Sequence, residues 1–228
     1  MKNRLNTAVR VLAAAAAMAV ATGASAQSAG TWMAKVGLNK ITPHVDSGDI
    51  SAPALPGTKA DVKADTKPIL TFAYMITDNI SAEMILGVPY KHDLIGDGSI
   101  KGTGKLGTAE ALPPTAFIQY RFFQPNAMIR PYVGAGLTYA YFQKEKGSGQ
   151  MTALLDPGGK PVTYRMDNKL TGSLVVGSTV AINERWFADV AVVKTYLKTK
   201  AKFSTGQTQD IKLDPVAVSI SIGYNFTL

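Results

Sequence analysis

The sequence predicts an all-β protein, an eight-stranded antiparallel transmembrane β-barrel with long extracellular loops and short periplasmic turns. Three observations carry this prediction. Residues 215–226 alternate between apolar and small or polar side chains, which is the period of a β-strand. This strand is long enough to cross a bilayer, which takes about 9 to 11 tilted residues. Short and long connections also alternate along the chain, as they do in transmembrane barrels.

The two faces of the strands favour a membrane barrel over a water-soluble one. In residues 215–226 one face carries valine, isoleucine and finally Tyr224 and Phe226, whereas the other carries alanine, serine, glycine and asparagine. The alternative is a soluble barrel of lipocalin type, which is apolar inside and polar outside. Here charged residues lie opposite the aliphatic face, and an unpaired charge near the bilayer midplane costs about 2 to 4 kcal/mol. The charged face is therefore predicted to line the lumen.

Eight segments have a strand pattern: residues 31–45, 67–76, 80–90, 112–123, 128–142, 169–182, 185–200 and 215–226. Their predicted lipid-facing residues include, in the same order, Trp32 and Val36, Leu70 and Tyr74, Met84 and Leu86, Ile118 and Tyr120, Val133 and Tyr139, Leu174 and Val176, Trp186 and Val190, and Val218 and Ile220. The seventh segment is the least regular, because its alternation blurs beyond Val193.

The connections predict the orientation of the barrel. Three are tight turns built from turn-forming residues, at 77–79, 124–127 and 183–184. Four are longer polar segments, at 46–66, 91–111, 145–166 and 201–209. An even number of strands then places both chain termini on the periplasmic side, with the long segments outside the cell.

The amino-terminal residues predict export. Basic residues precede an apolar, alanine-rich run at residues 11–21, and a small-residue cleavage site follows at 24–26. The run is shorter than the roughly 20 residues of a spanning helix. We therefore expect residues 1–26 to be a cleaved signal peptide that exports the chain across the inner membrane, and residues 27–228 to form the barrel.

Charged residues on the inward faces predict a closed lower lumen. They occur on several different strands, so they can meet at one level of the lumen, and buried charges persist only when they are paired. The predicted plug of the periplasmic half comprises Lys35, Glu83, Arg121, Arg130 and Asp189.

Apolar residues above that level predict a hydrophobic path or mouth. The candidates at inward strand positions or in the long loops are Ile41, Ile85, Phe117, Phe142, Leu94, Leu106 and Leu155. Pro43, Pro89 and Pro113 lie near the loop ends of strands, where a missing backbone donor interrupts a ladder. Two interpretations stay open for these prolines: simple strand termination, or a lateral opening in the wall.

Other chemistries are not indicated. The chain has no cysteine and two histidines, His44 and His92, which lie in different loops, so we expect no metal site. Gly134 and Gly136 lie within a strand and lack the helix and lysine of a phosphate loop. We predict a non-enzyme without a cofactor. The formal charge is +8 for the whole chain, and removal of the three basic residues in 1–26 leaves 8 − 3 = +5. Nucleic acid is not indicated as a partner of an exported chain. Two interpretations stay open for the many lysines in and beside the long loops: solubility of exposed loops, or contact with lipopolysaccharide phosphates.

Several blocks of sequence resemble the outer-membrane protein W family. They are Val-Pro-Tyr-Lys-His-Asp-Leu at 88–94, Gly-Lys-Leu-Gly at 104–107, Leu-Pro-Pro-Thr at 112–115, Gln-Tyr-Arg-Phe at 119–122 and Arg-Pro-Tyr-Val-Gly-Ala-Gly-Leu at 130–137. The resemblance implies an eight-stranded barrel with a narrow, largely hydrophobic interior path, uptake of small hydrophobic compounds, a part in stress responses, and reported use as a receptor for toxins or phage. Two features depart from that family: Thr227 and Leu228 follow the last aromatic residue, and the third long loop matches little.

We therefore expect an outer-membrane barrel that acts as a passive conduit for small hydrophobic molecules, with lateral release into the outer membrane and contacts with lipid and lipopolysaccharide. The alternative is a structural barrel whose surface loops act as adhesin or receptor without transport. The apolar residues in the loops favour a pocket over a wet adhesive surface.

Overall fold

The computed structural model describes residues 27–54 and 56–227, so the predicted signal peptide at 1–26 lies outside the described residues. Its elements are β1 (Trp32–Thr42), β2 (Asp46–Ser47), β3 (Thr58–Val62), β4 (Asp65–Met75), β5 (Ile80–Gly87), β6 (Tyr90–Gly98), β7 (Lys105–Leu112), β8 (Thr115–Arg121), β9 (Ile129–Gly147), α1 (Gly149–Leu155), β10 (Tyr164–Met166), β11 (Lys169–Ala181), β12 (Trp186–Thr195), β13 (Lys198–Phe203), β14 (Thr208–Lys212) and β15 (Val216–Phe226).

Eight of these strands close into an antiparallel barrel, which confirms the predicted fold. The order is β11-β12-β15-β1-β4-β5-β8-β9, and β9 pairs back with β11. The first and last strands are neighbours, with Lys35 opposite Gly223. Closure leaves the barrel strands without a free edge, as backbone groups in lipid require.

The outer surface of the barrel is apolar, as the alternation predicts. Leu38, Ile118 and Ile220 are each more than half exposed. Aromatic pairs lie toward the short-turn end, among them Trp32 with Tyr74 at 4.9 Å between ring centroids. Such rings suit the membrane–water interface. No helix in the described ranges has the length and apolar character to cross a membrane.

The long connections fold into a structured extracellular cap, which we define as β2, β3, β6, β7, β10, β13, β14 and α1. Strands β6 and β7 pair with each other, and β7 joins the upper part of β9, so the barrel wall continues into the cap. Strand β3 pairs with β6, and the other four cap strands form a second sheet in the order β10-β13-β14-β2. Buried apolar residues including Leu94, Leu106 and Met151 give the cap its own core.

The strand bounds differ from the prediction mainly at the upper ends. The fifth barrel strand continues past Phe142 to Gly147 because β7 pairs with it there. The seventh ends at Thr195 instead of residue 200, and Lys198 begins a separate cap strand. The third ends at Gly87 and the fourth begins at Thr115, because the prolines between these barrel strands and the cap strands cannot donate to a ladder.

Candidate functional site

The lumen is filled in successive layers, and on β1, β4 and β12 the layer nearest the periplasm is apolar. Met33, Ala73, Met75 and Phe187 form a buried cluster there. Gly223 faces the ring of Phe187, and a Cβ at that position would overlap the ring. The small residue is therefore needed for an aromatic side chain to fit across so narrow a barrel.

Above this cluster lies the charge layer, which we define as Lys35, Glu83, Arg121 and Asp189. Lys35 Nζ lies 2.9 Å from Glu83 Oε2 and 3.2 Å from Asp189 Oδ1. Arg121 Nη2 lies 3.7 Å from the same Glu83 oxygen. All four side chains are buried. Two cations oppose two anions, so the layer is neutral in sum, which is the condition for charges to persist in a lumen without bulk water.

Neutral side chains complete the bonding of the charge layer. The Tyr132 hydroxyl donates to Asp189 Oδ2 at 3.1 Å, and its ring centroid lies 4.7 Å from Arg121 Cζ, a cation–π distance. Arg121 also donates to Gln119 Oε1 at 2.9 Å and to Ser81 Oγ at 3.0 Å. None of these three neutral residues was predicted as a site residue, although each lies two positions from an inward charge and so shares its face.

Arg130 lies outside the charge layer, which corrects the prediction that it joins the paired network. Its guanidinium donates to the backbone carbonyl oxygens of Phe122, Gln27 and Asp78. The reason is its position one residue into β9, next to a short turn at the periplasmic end. Gln27 also donates to Thr179 Oγ1 at 3.3 Å. Arg130 therefore ties the segment before β1 to the turns.

Phe117 lies directly above the charge layer and forms the floor of the upper lumen. It is 2% exposed and packs with Tyr132, Val175 and Ala191. Its partner across the β5–β8 ladder is Glu83. Phe117 therefore lies below the apolar path that it was predicted to line: the inward direction was right, but the depth was not.

A chain of hydroxyl groups crosses four strands just above Phe117. The Oγ1 atoms of Thr115 and Thr138 lie 2.9 Å apart, Thr138 Oγ1 lies 2.7 Å from Ser173 Oγ, and Ser173 Oγ lies 2.8 Å from Thr195 Oγ1. Each of these hydroxyl groups has a hydrogen-bond partner in the chain. The space above them is therefore bordered by few polar groups that lack a partner.

An apolar cavity, here called the barrel cavity, occupies the lumen above the hydroxyl chain. It encloses about 1160 Å³, its open mouth included. Four residues predicted for the hydrophobic path, Ile41, Ile85, Leu94 and Phe142, line it. Most other lining residues are aliphatic, among them Ile69, Val193, Leu197 and Leu213. The charge layer and the barrel cavity thus divide one lumen into a sealed half and a half that can hold an apolar molecule.

The wall beside the barrel cavity is interrupted between β5 and β8. Pairing of β5 with β8 stops at Ile85, and pairing of β6 with β7 begins at Tyr90. Within the described chain, no strand pairing joins residues 86–89 to residues 112–114. We call this interruption the wall break. Val88, Pro89 and the Pro113–Pro114 pair lie within it.

The wall break borders the barrel cavity. Leu86, Gly87, Leu112 and Pro113 line the cavity there, while Leu86 is 38% exposed on the outer face. Pro89 lies within the break but does not line the cavity.

Pro43 belongs to a different part of the wall, although it lines the barrel cavity. It follows β1, where the backbone N–H of His44 donates to Leu213 O at 2.8 Å and keeps the wall paired. Of the three prolines at which a lateral opening was predicted, Pro89 and Pro113 therefore lie in the wall break, whereas Pro43 lies beside a paired part of the wall.

A second apolar cavity, the cap cavity, lies among the strands of the extracellular cap and encloses about 600 Å³ of space, any opening included. Leu106 and Leu155 line it, so they are not at the mouth of the barrel cavity as predicted. The reason is that the loops have a core of their own, to which both residues belong. Leu94 lines both cavities and separates them.

His92, on β6 in the cap, is the one histidine among the residues lining the barrel cavity. Its Nδ1 lies 2.8 Å from the carbonyl oxygen of Lys63, which suits a donated N–H. Burial lowers the pKa of His92 below its usual value, although that hydrogen bond and the nearby Asp65 oppose the shift. Among residues 27–54 and 56–227, no group of three or more His, Cys, Asp or Glu is placed to hold a metal ion.

A closed eight-stranded barrel with an apolar outer belt, a charged lower lumen and an extracellular cap defines an outer-membrane β-barrel of the small-barrel class. The chain belongs to the OmpW family, whose model matches residues 28–226. It is 31% identical over 209 residues to outer membrane protein W of Vibrio cholerae serotype O1, covering 88% of this chain and 91% of that one. The protein resides in the bacterial outer membrane.

Two further relatives extend this comparison. The crystal structure of the outer membrane protein OprG from Pseudomonas aeruginosa superposes with a TM-score of 0.79 at 28% identity, covering 90% of this chain and all of that one. The dibenzothiophene metabolism operon protein PahQ of Pseudomonas aeruginosa is 24% identical over 199 residues, which cover 86% of this chain and 88% of that protein.

Proposed function

We propose that the protein is a passive, non-catalytic conduit for small hydrophobic molecules, which enter from the extracellular side and leave sideways into the outer membrane. The observation that carries this proposal is the barrel cavity, which is apolar, lies above the charge layer and is lined on one side by residues of the wall break.

The energetics favour sideways exit over passage to the periplasm. An apolar solute gains roughly 25 cal/mol for each Å² that it removes from water in the barrel cavity. Moving further down would require separating the buried ion pairs of Lys35 and Arg121 with Glu83, which no apolar molecule can replace. Moving through the wall break instead exchanges one apolar environment for another.

The relatives support an apolar solute. PahQ is named for dibenzothiophene metabolism, and dibenzothiophene is a flat, apolar aromatic compound. An eight-stranded barrel is wide enough to hold one small ligand, so bulk flow of hydrophilic solutes does not suit this lumen.

Uptake of naphthalene tests the proposal. Vesicles with lipopolysaccharide in the outer leaflet are prepared with the wild-type barrel, with Phe142→Asp, or without protein, and transfer of naphthalene to an apolar acceptor inside is followed by fluorescence. We expect the wild type to speed transfer and Phe142→Asp to abolish that gain, because it places a carboxylate in the cavity lining. Phe142→Leu is the matched control, since it keeps the lining apolar, and should retain transfer.

Transfer by the wild type at the protein-free rate would contradict the proposal. It would leave the alternative of a structural barrel whose loops act as adhesin or receptor.

We further propose lipopolysaccharide as the lipid partner of the cap. Lys59, Lys101, Lys146 and Lys160 are exposed, and they form no ion pair within the described part of the chain. Exposed cations attract phosphate groups in a manner that salt weakens. Replacing all four with Gln should reduce the lipopolysaccharide that co-purifies in low salt, whereas replacing them with Arg should not. Equal retention by both variants would contradict this partner.

A further inference from the structure

The cap cavity contains a polar group with no partner. Tyr164 is 3% exposed and lines the cavity, and no described residue hydrogen-bonds its hydroxyl. Its ring packs near Phe203, with centroids 6.1 Å apart. Almost all buried hydroxyl groups in proteins have a partner, so an unpaired one at the wall of an apolar cavity indicates that something else supplies the partner.

The other residues that line the cap cavity indicate the chemistry of the molecule that could bind beside Tyr164. Ile50, Leu106, Met151, Leu155 and Phe203 surround the cavity. Most of the lining therefore offers apolar contacts. Thr58 and Gln209 also line the cavity, and the Gln209 side-chain nitrogen already donates to the carbonyl oxygens of Gly48 and Thr58.

The electrostatic setting of Tyr164 selects a neutral partner. Burial raises the pKa of Tyr164, and the nearby Glu145 carboxylate raises it further, so the phenol keeps its proton at neutral pH. A protonated phenol in this setting donates a hydrogen bond. The same carboxylate repels an anion, so a fatty-acid carboxylate would be both desolvated and repelled there.

We propose that the cap cavity is a binding site for a small neutral molecule that is apolar except for one carbonyl oxygen, which accepts a hydrogen bond from the Tyr164 hydroxyl. The site is separate from the barrel cavity, from which Leu94 divides it. Binding at the cap cavity does not depend on the proposed conduit. Only the further passage of a bound molecule into the barrel rests on that proposal.

Two methionines make the two cavities distinguishable. Met151 lines the cap cavity and Met166 lines the barrel cavity. With isotope-labelled methionine methyl groups, the full-length barrel in detergent micelles is titrated with methyl pentyl ketone, with n-heptane and with heptanoate. The ketone should shift the Met151 signal, and heptanoate should not.

Tyr164→Phe removes only the hydroxyl group and is the decisive variant. It should weaken ketone binding at Met151 by about 2- to 10-fold, the value of one net hydrogen bond, and leave n-heptane binding unchanged or stronger. Ligand uptake by the micelles is the same for both proteins, so the ratio isolates the hydroxyl. Tyr139→Phe, which removes a hydroxyl from the lipid-facing side, should change neither affinity.

Loss of fold cannot mimic this result, because deleting an unpaired buried hydroxyl does not destabilise a protein. The proposal is overturned if the ketone shifts Met166 alone, if Tyr164→Phe binds the ketone as well as the wild type does, or if heptanoate binds at Met151. The two proposals can fail separately. Ketone binding at Met151 would support the cap-cavity site even if the protein does not transfer naphthalene. Naphthalene transfer without ketone binding would support the conduit and contradict the cap-cavity site.

Discussion

The lower and upper halves of the lumen are built from the same strands but differ in chemistry. On β5 the inward residue changes from Glu83 in the charge layer to Ile85 in the barrel cavity, two positions further along. On β12 it changes from Asp189 to Val193. The outward residues stay apolar in both halves, because lipid contacts the whole wall.

The membrane therefore determines the residues on the outer face of the barrel, whereas the residues on the inner face change from one half of the lumen to the other. In the lower half, paired charges and a buried apolar cluster occupy the lumen. In the upper half, the hydroxyl chain from Thr115 to Thr195 satisfies its own polar atoms, so the space above it can remain apolar. On β5, a step of two residues therefore separates the charge layer from the barrel cavity.

Lys35→Met should break the lower half and have the largest effect. It leaves Asp189 without its lysine and Glu83 with only Arg121 at 3.7 Å. Removing one partner of a buried pair costs about 3 to 5 kcal/mol. The free energy of unfolding, measured by urea titration in lipid vesicles, should fall by that amount.

Lys67→Met is the matched control for that change. Lys67 lies 3.0 Å from Asp65 at the upper end of the barrel, where both side chains are partly exposed. Such pairs contribute less than about 1 kcal/mol. A comparable loss of stability in the two variants would show that the charge layer is no more tightly coupled than the surface.

Closing the wall break should remove the exit from the upper half. In a Pro89→Val, Pro113→Val double variant the added N–H groups can extend the ladder across residues 86–89 and 112–114. Naphthalene transfer should then fall by roughly tenfold, about 1.4 kcal/mol, while stability stays the same or rises. Pro43→Val is the control, because the wall is already paired beside it. Unchanged transfer in the double variant would contradict lateral release.

The barrel strands could be predicted from the sequence because lipid enforces a strict alternation on them. For that reason the predicted last strand, residues 215–226, differs from the observed strand, Val216–Phe226, by one residue at its start. The cap strands could not be predicted in the same way. Both faces of β13 and β14 carry polar residues, and their burial depends on packing between loops that are distant in sequence, such as Tyr164 against Phe203.

The candidate site was predictable in direction but not in depth. The alternation of side chains along each strand correctly predicted that Phe117 and Arg130 face the lumen. Neither residue lies in the layer that was predicted for it. Depth depends on the stagger between strands, which fixes Phe117 opposite Glu83 and is not encoded in one strand alone. Gln27 precedes the first strand and has no alternation to reveal its place in the lumen.

A weaker effect is expected for His92, an ionisable side chain in the upper half of the lumen, which has no charge layer. Since burial lowers its pKa in the folded state, the unfolded chain binds a proton first as the pH falls below about 6.5. The contribution to stability is therefore present above that pH and is lost below it. Asp65 and Asp93 attract the added proton and Lys67 repels it, so the net loss stays small.

Between about pH 7 and about pH 6 the wild type should lose less than about 1 kcal/mol more than His92→Asn does. Urea titrations of both proteins at each pH measure the difference, and His44→Asn, which removes an exposed histidine, should follow the wild type. If His92→Asn loses as much stability on acidification as the wild type, the histidine is not held neutral. The upper half would then tolerate a charge as the lower half does, and the contrast between them would rest on packing alone.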